Sequence, residues 1–219
     1  MSRIDRVGSV SLETTIRKAA LLLDLIFLSA SSQAGSVHRR LATAAAALTN
    51  RKLQDEANAA LIDLSSFDLP NFSEHDDATN ETPAGATALH DRLSRADGMF
   101  MSSDEYTGAY SALLKNTIRW LSSLDAQNET PLRGMPVALC GASSRGAGSL
   151  RGQPALAQLL GELGAHVIPQ YLELGTAASL LDENGQLRQR FERQLVEGCL
   201  IKLVEAGKAR RSQRLLAVQ

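Results

Sequence analysis

A chain of 219 residues with 23 basic and 24 acidic side chains has room for one sizeable α/β domain and is cramped for two. The near balance of charge leaves no overall field to favour nucleic acid or a membrane surface as principal partner. Cys140 and Cys199 lie in apolar surroundings without CxxC or Cys/His ligand spacing, which suits buried thiols in a reducing compartment, so the expected location is cytoplasmic and neither thiol is a good nucleophile.

Residues 1–20 read as an N-terminal extension, polar and aperiodic to about Thr15. Arg17 and Lys18 precede an apolar stretch, Ala19 to Leu28, that small residues follow, roughly the layout of a secretory signal. Asp24 interrupts that stretch, and its removal would delete a strand that the next loop and helix need, so it is read as structure. No stretch approaches the roughly 18 apolar residues of a membrane helix.

Leu21 to Leu28 is a short, nearly continuous apolar run, the pattern of a strand buried on both faces. Ser36 then stands as N-cap before Val37, Leu41, Ala44, Ala45 and Leu48 at helical spacing. Ala59 to Leu64 forms a second strand, and a long polar connection runs from Ser65 to about Pro83, with Glu74, Asp76 and Asp77 read as a solvated loop. A helix from about Ala84 to Ala96 leads into strand three, Gly98 to Ser102. Helix three spans about Tyr110 to Leu124, and Pro136 to Cys140 is strand four. After a loop from Gly141 to Gln153, Pro154 to Leu163 is helical and Gly164 ends it. Ala165 to Ile168 makes strand five, closed by Pro169, and Leu187 to Ala206 supplies the last helix. The domain spans 21–207; the remainder, 208–219, with Lys208, Arg210, Arg211 and Arg214, reads as a basic, solvated, disordered tail. Alternation of strand and helix five times over predicts an α/β, doubly wound parallel sheet with helices on both faces.

Ligands of such sheets sit past the carboxyl ends of the strands, which directs attention to three loops. After strand one, SASSQAGSVHRR offers free N–H groups and the positive end of a helix, a place for phosphate with Ser31 and Ser36 as added donors; a plain N-cap explains the same residues. His38 reads either as a further phosphate donor or as a solvent-facing residue of the first helical turn. After strand three, the apolar Gly98-Met-Phe-Met101 stops at polar residues and is followed by Glu105, Tyr106, Thr107 and Gly108, then by a helix containing Leu114, Lys115, Asn116, Ile118 and Trp120. The third loop begins at Gly141 and Ser143. The histidines His75, His90 and His166 make no metal spacing with each other or with carboxylates, so no metal site is expected.

These residues resemble the NAD(P)H-dependent FMN reductases, flavodoxin-like enzymes that include quinone and azo-dye reductases. Glu105, Tyr106, Gly108, Leu114, Lys115, Asn116, Ile118 and Trp120 match a PEYNGxxPxxLKNxIDW signature, with Asp104, Thr107, Ser111 and Arg119 at its Pro, Asn, Pro and Asp. Ser31, Gly35 and Ser36 match a GSxRxGSxN phosphate loop in which Ala30, Gln33 and His38 replace Gly, Arg and Asn. Gly141, Ala142, Ser143, Gly148 and Arg151 match a GASPGxxGGxR segment. The resemblance implies a flavodoxin-like five-stranded sheet of order 2-1-3-4-5. It implies FMN as cofactor, NAD(P)H as co-substrate and a quinone, azo compound, free flavin or similar acceptor. It also implies a homodimer or homotetramer, with chemistry centred on the flavin rather than on catalytic side chains. By the same resemblance, Ser31, Gln33, Ser36 and His38 approach the phosphate, and Glu105, Tyr106, Thr107, Gly108, Gly141 and Ser143 approach the ring. Asp104 places a negative charge beside an electron acceptor, and the lost Arg removes a bidentate phosphate partner. The departures therefore also admit an alternative, a flavodoxin-like binding or interaction protein with weakened or lost FMN binding.

Overall fold

Strand β1 (Leu23–Ala30) buries all but one of its residues, as an uninterrupted apolar run requires when both faces are covered. Parallel neighbours flank it: β2 (Ala57–Asp63) pairs from Leu23↔Ala57 to Ser29↔Asp63, and β3 (Gly98–Ser103) from Leu25↔Gly98 to Ala30↔Ser103. The computed structural model describes residues 22–33, 35–73, 82–124, 130–143 and 151–217. Between these strands run α1 (Val37–Lys52) and α2 (Ala84–Arg95). Beyond β3 come a hairpin of β4 (Glu105–Tyr106) and β5 (Ala109–Tyr110), α3 (Ala112–Ser123), β6 (Pro136–Ser143), α4 (Gly152–Glu162), β7 (His166–Val167), β8 (Leu172–Thr176), α5 (Ala177–Leu180) and α6 (Arg190–Ala217).

The sheet order is β2-β1-β3-β6-β7, the flavodoxin-like order expected, with β8 also paired to β6. The fifth strand position is thus shared by two short strands. β7 pairs at Pro136 and Val137, whereas β8 pairs from Cys140 to Ser143. Pro169, which has no N–H to give a ladder, and Gln170, at φ +77°, turn the chain out of the sheet between them. The sequence reading contained the first of these strands and not the second.

Alternation along β1 sorts the core. Leu25 and Phe27 point to α1 and α6, where Phe27 stacks on Phe100 at 5.6 Å; Ile26 and Leu28 point to α2, α3 and α4. Ala42, Ala45 and Ala46 of α1 let that helix lie close to the sheet, and Gly98 does the same for α6, since a Cβ there would stand 3.0 Å from Leu203 Cδ1. Two alternating layers of helices over a parallel sheet follow from these patterns.

The expected disordered tail is instead the end of α6. The helix continues through 208–217, and the buried Asp97, between α2 and β3, explains why. Asp97 Oδ2 accepts from Asp24 N at 2.8 Å, and its carboxylate is held by Arg211, whose Nη1 also donates to Leu22 O at 2.8 Å. One side chain therefore ties the last helix to the amino end of β1. Lys208 pairs with Glu56 nearby, but both are exposed.

The segment between β3 and α3, read as a loop, is a two-residue hairpin. Thr107 at φ +52° and Gly108 at φ +84° give the two left-handed residues of a type I′ turn. Gly adopts that conformation freely, whereas a β-branched Thr is strained there. Ser111, just after the hairpin, caps α3 by accepting from Leu114 N at 3.2 Å, so the helix starts at Ala112 rather than Tyr110.

Two stability outcomes follow. Arg211→Ala leaves the Asp97 carboxylate buried without its cation and lowers unfolding free energy by about 3 kcal/mol, whereas Lys208→Ala costs less than about 1 kcal/mol; urea unfolding with equal effects for the two would contradict this. Thr107→Asn, which suits a left-handed turn, raises stability by about 1 kcal/mol in the same assay.

Candidate functional site

Parallel register brings three strand ends abreast. Ala30 is opposite Ser103, and Ser102 is opposite Cys140, so the loops leaving β1, β3 and β6 start side by side. Ser36 caps α1, its Oγ accepting from Arg39 N at 3.1 Å, and Ser36 N donates to Gln33 O at 3.2 Å. Gln33 N in turn donates to Ser31 Oγ at 3.3 Å. The loop is thus wound tightly before the helix, with Gly35 at φ +72°. Ser31 and Ser36 are buried and Gln33 is exposed. Each serine hydroxyl that accepts from the backbone retains its own proton to donate, and first-turn N–H groups reinforce a preference for an anion.

His38 sits one residue into the helix and faces inward. It shares its helical face with Leu41, Ala42 and Ala45, and only 5% of it is exposed. Nδ1 is 2.9 Å from Ser102 Oγ, and Nε2 is 3.1 Å from Asp104 Oδ1. Neither reading from sequence describes it: the ring is not turned to solvent, and both nitrogens are taken up within the chain rather than aimed at the loop. Because the carboxylate can only accept, Nε2 carries the proton of the neutral ring and Nδ1 accepts from the serine hydroxyl. Burial lowers the His38 pKa from the ordinary histidine value, and the Asp104 charge opposes that effect in part. The signal for its burial is its place three and four residues before Leu41 and Ala42, on the apolar stripe.

The hairpin is anchored from both sides. Glu105 Oε2 accepts from Gly152 N at 3.0 Å and thereby caps α4, with Arg151 Nε 3.8 Å from Oε1. A Cβ on Gly152 would stand 2.9 Å from Glu105 Cγ, so glycine is what admits this side chain. Ser111 Oγ donates to Ala30 O at 2.9 Å while capping α3, fastening the exit of the hairpin to the end of β1. Thr107 is exposed at the tip and Gly108 partly so. Gly141 is buried at the end of β6. The side chains of Tyr106 and Ser143, and the loop over 144–150, lie outside the described residues. The described members of the predicted set therefore gather at one edge of the sheet, with the Glu105 side chain engaged internally.

Asn116 and Trp120 of α3 hold the segment that precedes α2. Asn116 Oδ1 accepts from Phe72 N at 2.8 Å, while its Nδ2 and the Trp120 Nε1 both donate to Pro70 O, at 2.9 and 2.7 Å. Phe72 meets the Trp120 ring edge-on at 4.9 Å, and the Arg119 guanidinium lies over Phe72 at 4.1 Å. They pin residues 67–73 to α3; Glu74, Asp76 and Asp77 lie outside the described residues.

Two further groups escaped sequence reasoning. Glu173 on β8 stands beside Gly141, and its carboxyl pKa is raised, first by burial and then by the Glu105 charge. Ser111 was marked only as a departure from proline, although a serine three residues before Leu114 is an ordinary capping signal. Burial raises the Cys140 thiol well above its usual value and pushes Cys199 up to about 11, so both remain protonated at neutral pH. A groove of about 330 Å³ lies elsewhere, along α1 opposite Leu187 and Arg193, and contains none of the predicted residues. Its position off the strand ends makes it a poor candidate for the principal site.

NADH:(hydroxy)cinnamate reductase subunit CrdA of Vibrio ruber is 35% identical over 141 residues, covering 63% of this chain and 65% of that protein. A NAD(P)H-dependent FMN reductase of Pseudomonas aeruginosa is 29% identical over 131 residues, covering 59% and 68%. A quinone reductase of Escherichia coli K12 is 34% identical over 107 residues, covering 48% and 55%. The matched regions thus span between 55% and 68% of these relatives' own lengths. In fold, the chain is similar to FerB, a flavoenzyme NAD(P)H:(acceptor) oxidoreductase of Paracoccus denitrificans, with a TM-score of 0.73 at 19% identity over 86% of this chain and 99% of the other. The family model for NADPH-dependent FMN reductase matches residues 23–179, and the chain belongs to that family.

Proposed function

We propose that the chain is an FMN-dependent NAD(P)H oxidoreductase that delivers electrons to a quinone, azo compound, free flavin or related small acceptor. The observation that carries this reading is the adjacency of a serine-lined helix N-terminus and a left-handed hairpin at neighbouring strand ends. The donor set fits the cofactor. Ser31, Ser36 and the first N–H groups of α1 suit a phosphate, and the hairpin with Gly141 suits the edge of a flat ring. FMN, when bound, supplies the hydride and electron chemistry.

The chain's own part is binding and orientation. Ser36 holds the end of α1 in place while presenting its hydroxyl proton to the phosphate position. Ser111 keeps the hairpin against β1, and Glu105 keeps it against α4, so the ring edge would meet a fixed wall. No buried acid or nucleophile is asked to perform the reaction. Assembly into a homodimer or homotetramer, with Tyr110 and α3 at the contact, belongs to the same reading; a monomer by sedimentation velocity in the presence of FMN would remove that part. The relatives named as cinnamate and quinone reductases support a small conjugated acceptor.

The second reading, a scaffold with weakened FMN binding, draws on the exposed Gln33 at the arginine position and on the inward-facing His38. A visible spectrum separates the two. The oxidoreductase is yellow, or quenches FMN fluorescence on titration, and its colour bleaches on addition of NADPH or NADH; a colourless protein that quenches no FMN overturns it. Ser36→Ala reduces FMN affinity roughly 10–150-fold, the worth of one hydrogen bond to a charged group, and leaves riboflavin affinity nearly unchanged. Equal losses for both ligands would misplace the phosphate.

A further inference from the structure

Two of the residues that depart from the family signature touch each other. His38 stands at an Asn position on α1 and Asp104 at a Pro position before the hairpin, and the imidazole bridges them with Nε2 3.1 Å from Oδ1. On its other side the ring meets Ser102 Oγ at 2.9 Å, and Ser102 is fully buried. Beyond Ser102, on the adjacent strand and in register with it, lies Ser29, also fully buried, whose Oγ has no hydrogen-bond partner. Neighbouring strands lie about 4.8 Å apart, so Ser29 Oγ sits one strand spacing from Ser102, and a χ1 rotation of one serine, not of the hydroxyl hydrogen alone, joins the two. The four groups form a line from the site edge into the sheet: Asp104, His38, Ser102, Ser29.

We propose that His38 is a positioning residue that takes up a proton when a phosphate-bearing ligand binds, and so cancels the charge that Asp104 presents at the edge of the site. The inference rests on the FMN-binding reading above. In the neutral state Nε2–H donates to Asp104 and the Ser102 hydroxyl donates to Nδ1. When the ring gains a proton from solvent at Nδ1, that nitrogen becomes a donor to Ser102 Oγ. The displaced Ser102 hydroxyl hydrogen then needs a new acceptor, and the unpartnered Ser29 Oγ is the group placed to receive it. No bond other than N–H forms and no electron moves.

The charged and titratable groups around the ring leave the role to this pair. On α1 itself, Arg39 pairs with Asp63 at the end of β2, and Arg40 is exposed. In the hairpin, Glu105 is turned to Gly152 and Arg151. The sheet contributes Cys140, whose thiol burial keeps protonated, and β8 contributes Glu173, which lies toward Glu105. From α6, packed along α1, come Glu192 and Arg193, the latter donating to Leu187 O. The sign follows from linkage. A dianionic ligand near the α1 N-terminus favours imidazolium, so binding raises the His38 pKa, and protonation of His38 tightens binding by the same factor.

The experiment is a pH titration of the His38 ring resonance in the whole chain, identified by its loss in His38→Asn, alone and saturated with FMN or riboflavin. Without ligand His38 titrates below the ordinary histidine value; FMN shifts it upward and riboflavin does so much less. Ser29→Ala, which removes the new acceptor, lowers the titration point in both states. FMN affinity is then measured by fluorescence quenching near pH 6. His38→Asn reaches Ser102 but not Asp104 and holds no proton, and it weakens FMN binding roughly tenfold; adding Asp104→Asn returns affinity to within roughly threefold of the native value, the mark of a coupled pair. If FMN binds but leaves the His38 titration unmoved, or if the double variant is weaker than His38→Asn alone, the proposal is wrong while the FMN reading stands. If no FMN binds at all, both fall.

Discussion

The register between β1 and β3 is the constraint on which the candidate site depends. Both strands are buried on two faces, so their pairing is fixed by side chains packed above and below as well as by the ladder. That pairing sets Ser29 beside Ser102 and Ala30 beside Ser103. The loops to α1 and to the hairpin must then rise next to each other, close enough for Ser111 to reach the Ala30 carbonyl and for His38 to reach Ser102. Shift the register by one residue and polar Ser102 trades places with Met101 across the sheet. The same slip would strand the histidine under α1 without a partner.

How the molecule separates stability from site construction is visible at the two ends of its strands. At the amino end, Asp97 and Arg211 join α6 to β1 in a buried charged contact, with Asp24 and Leu22 satisfying further hydrogen bonds. At the carboxyl end, hydroxyl contacts such as Ser111 to the Ala30 carbonyl and Ser102 to His38 join the loops beside the side-chain pairs there. Buried ion pairs tolerate little rearrangement once one partner is removed. Hydroxyl contacts reorganise at lower cost, which suits the edge where a ligand must enter.

Local patterns carried most of the fold into the sequence. Continuous apolar runs marked β1, β3 and β6, Ser36 marked the start of α1, and Gly164, at φ +79°, followed α4. What stayed illegible depends on partners far apart in the chain. Nothing near Arg211 signals that Asp97, 114 positions earlier, will bury its carboxylate and extend α6 into a supposed tail. The hairpin escaped because Thr-Gly is a weak turn signal where Asn-Gly is a strong one. β8 escaped because its ladder is supplied by β6, after Pro169 has ended β7. The site residues were legible as a set of strand-end loops and not as contacts. The capping of α4 by the Glu105 side chain was not visible from sequence, and His38 was weighed as donor or bystander when its spacing from Leu41 already put it on the buried stripe.

The site's electrostatics link those contacts. Three basic side chains near the two loops face carboxylates of the chain, Arg39 with Asp63, Arg151 with Glu105 and the neutral His38 with Asp104, while Arg40 is exposed. Arg39 and Arg151 are thereby committed to carboxylates of the chain. Attraction for an anion at the α1 N-terminus then falls to backbone N–H groups and the Ser31 and Ser36 hydroxyls, which are fixed dipoles rather than net charge. A fixed dipole cannot answer the arrival of a dianion by changing its own charge. A buried imidazole between an acid and a hydroxyl can, at the cost of one solvent proton, and of the three pairs only His38 with Asp104 holds a basic group that is neutral at rest and gains its charge by taking up that proton.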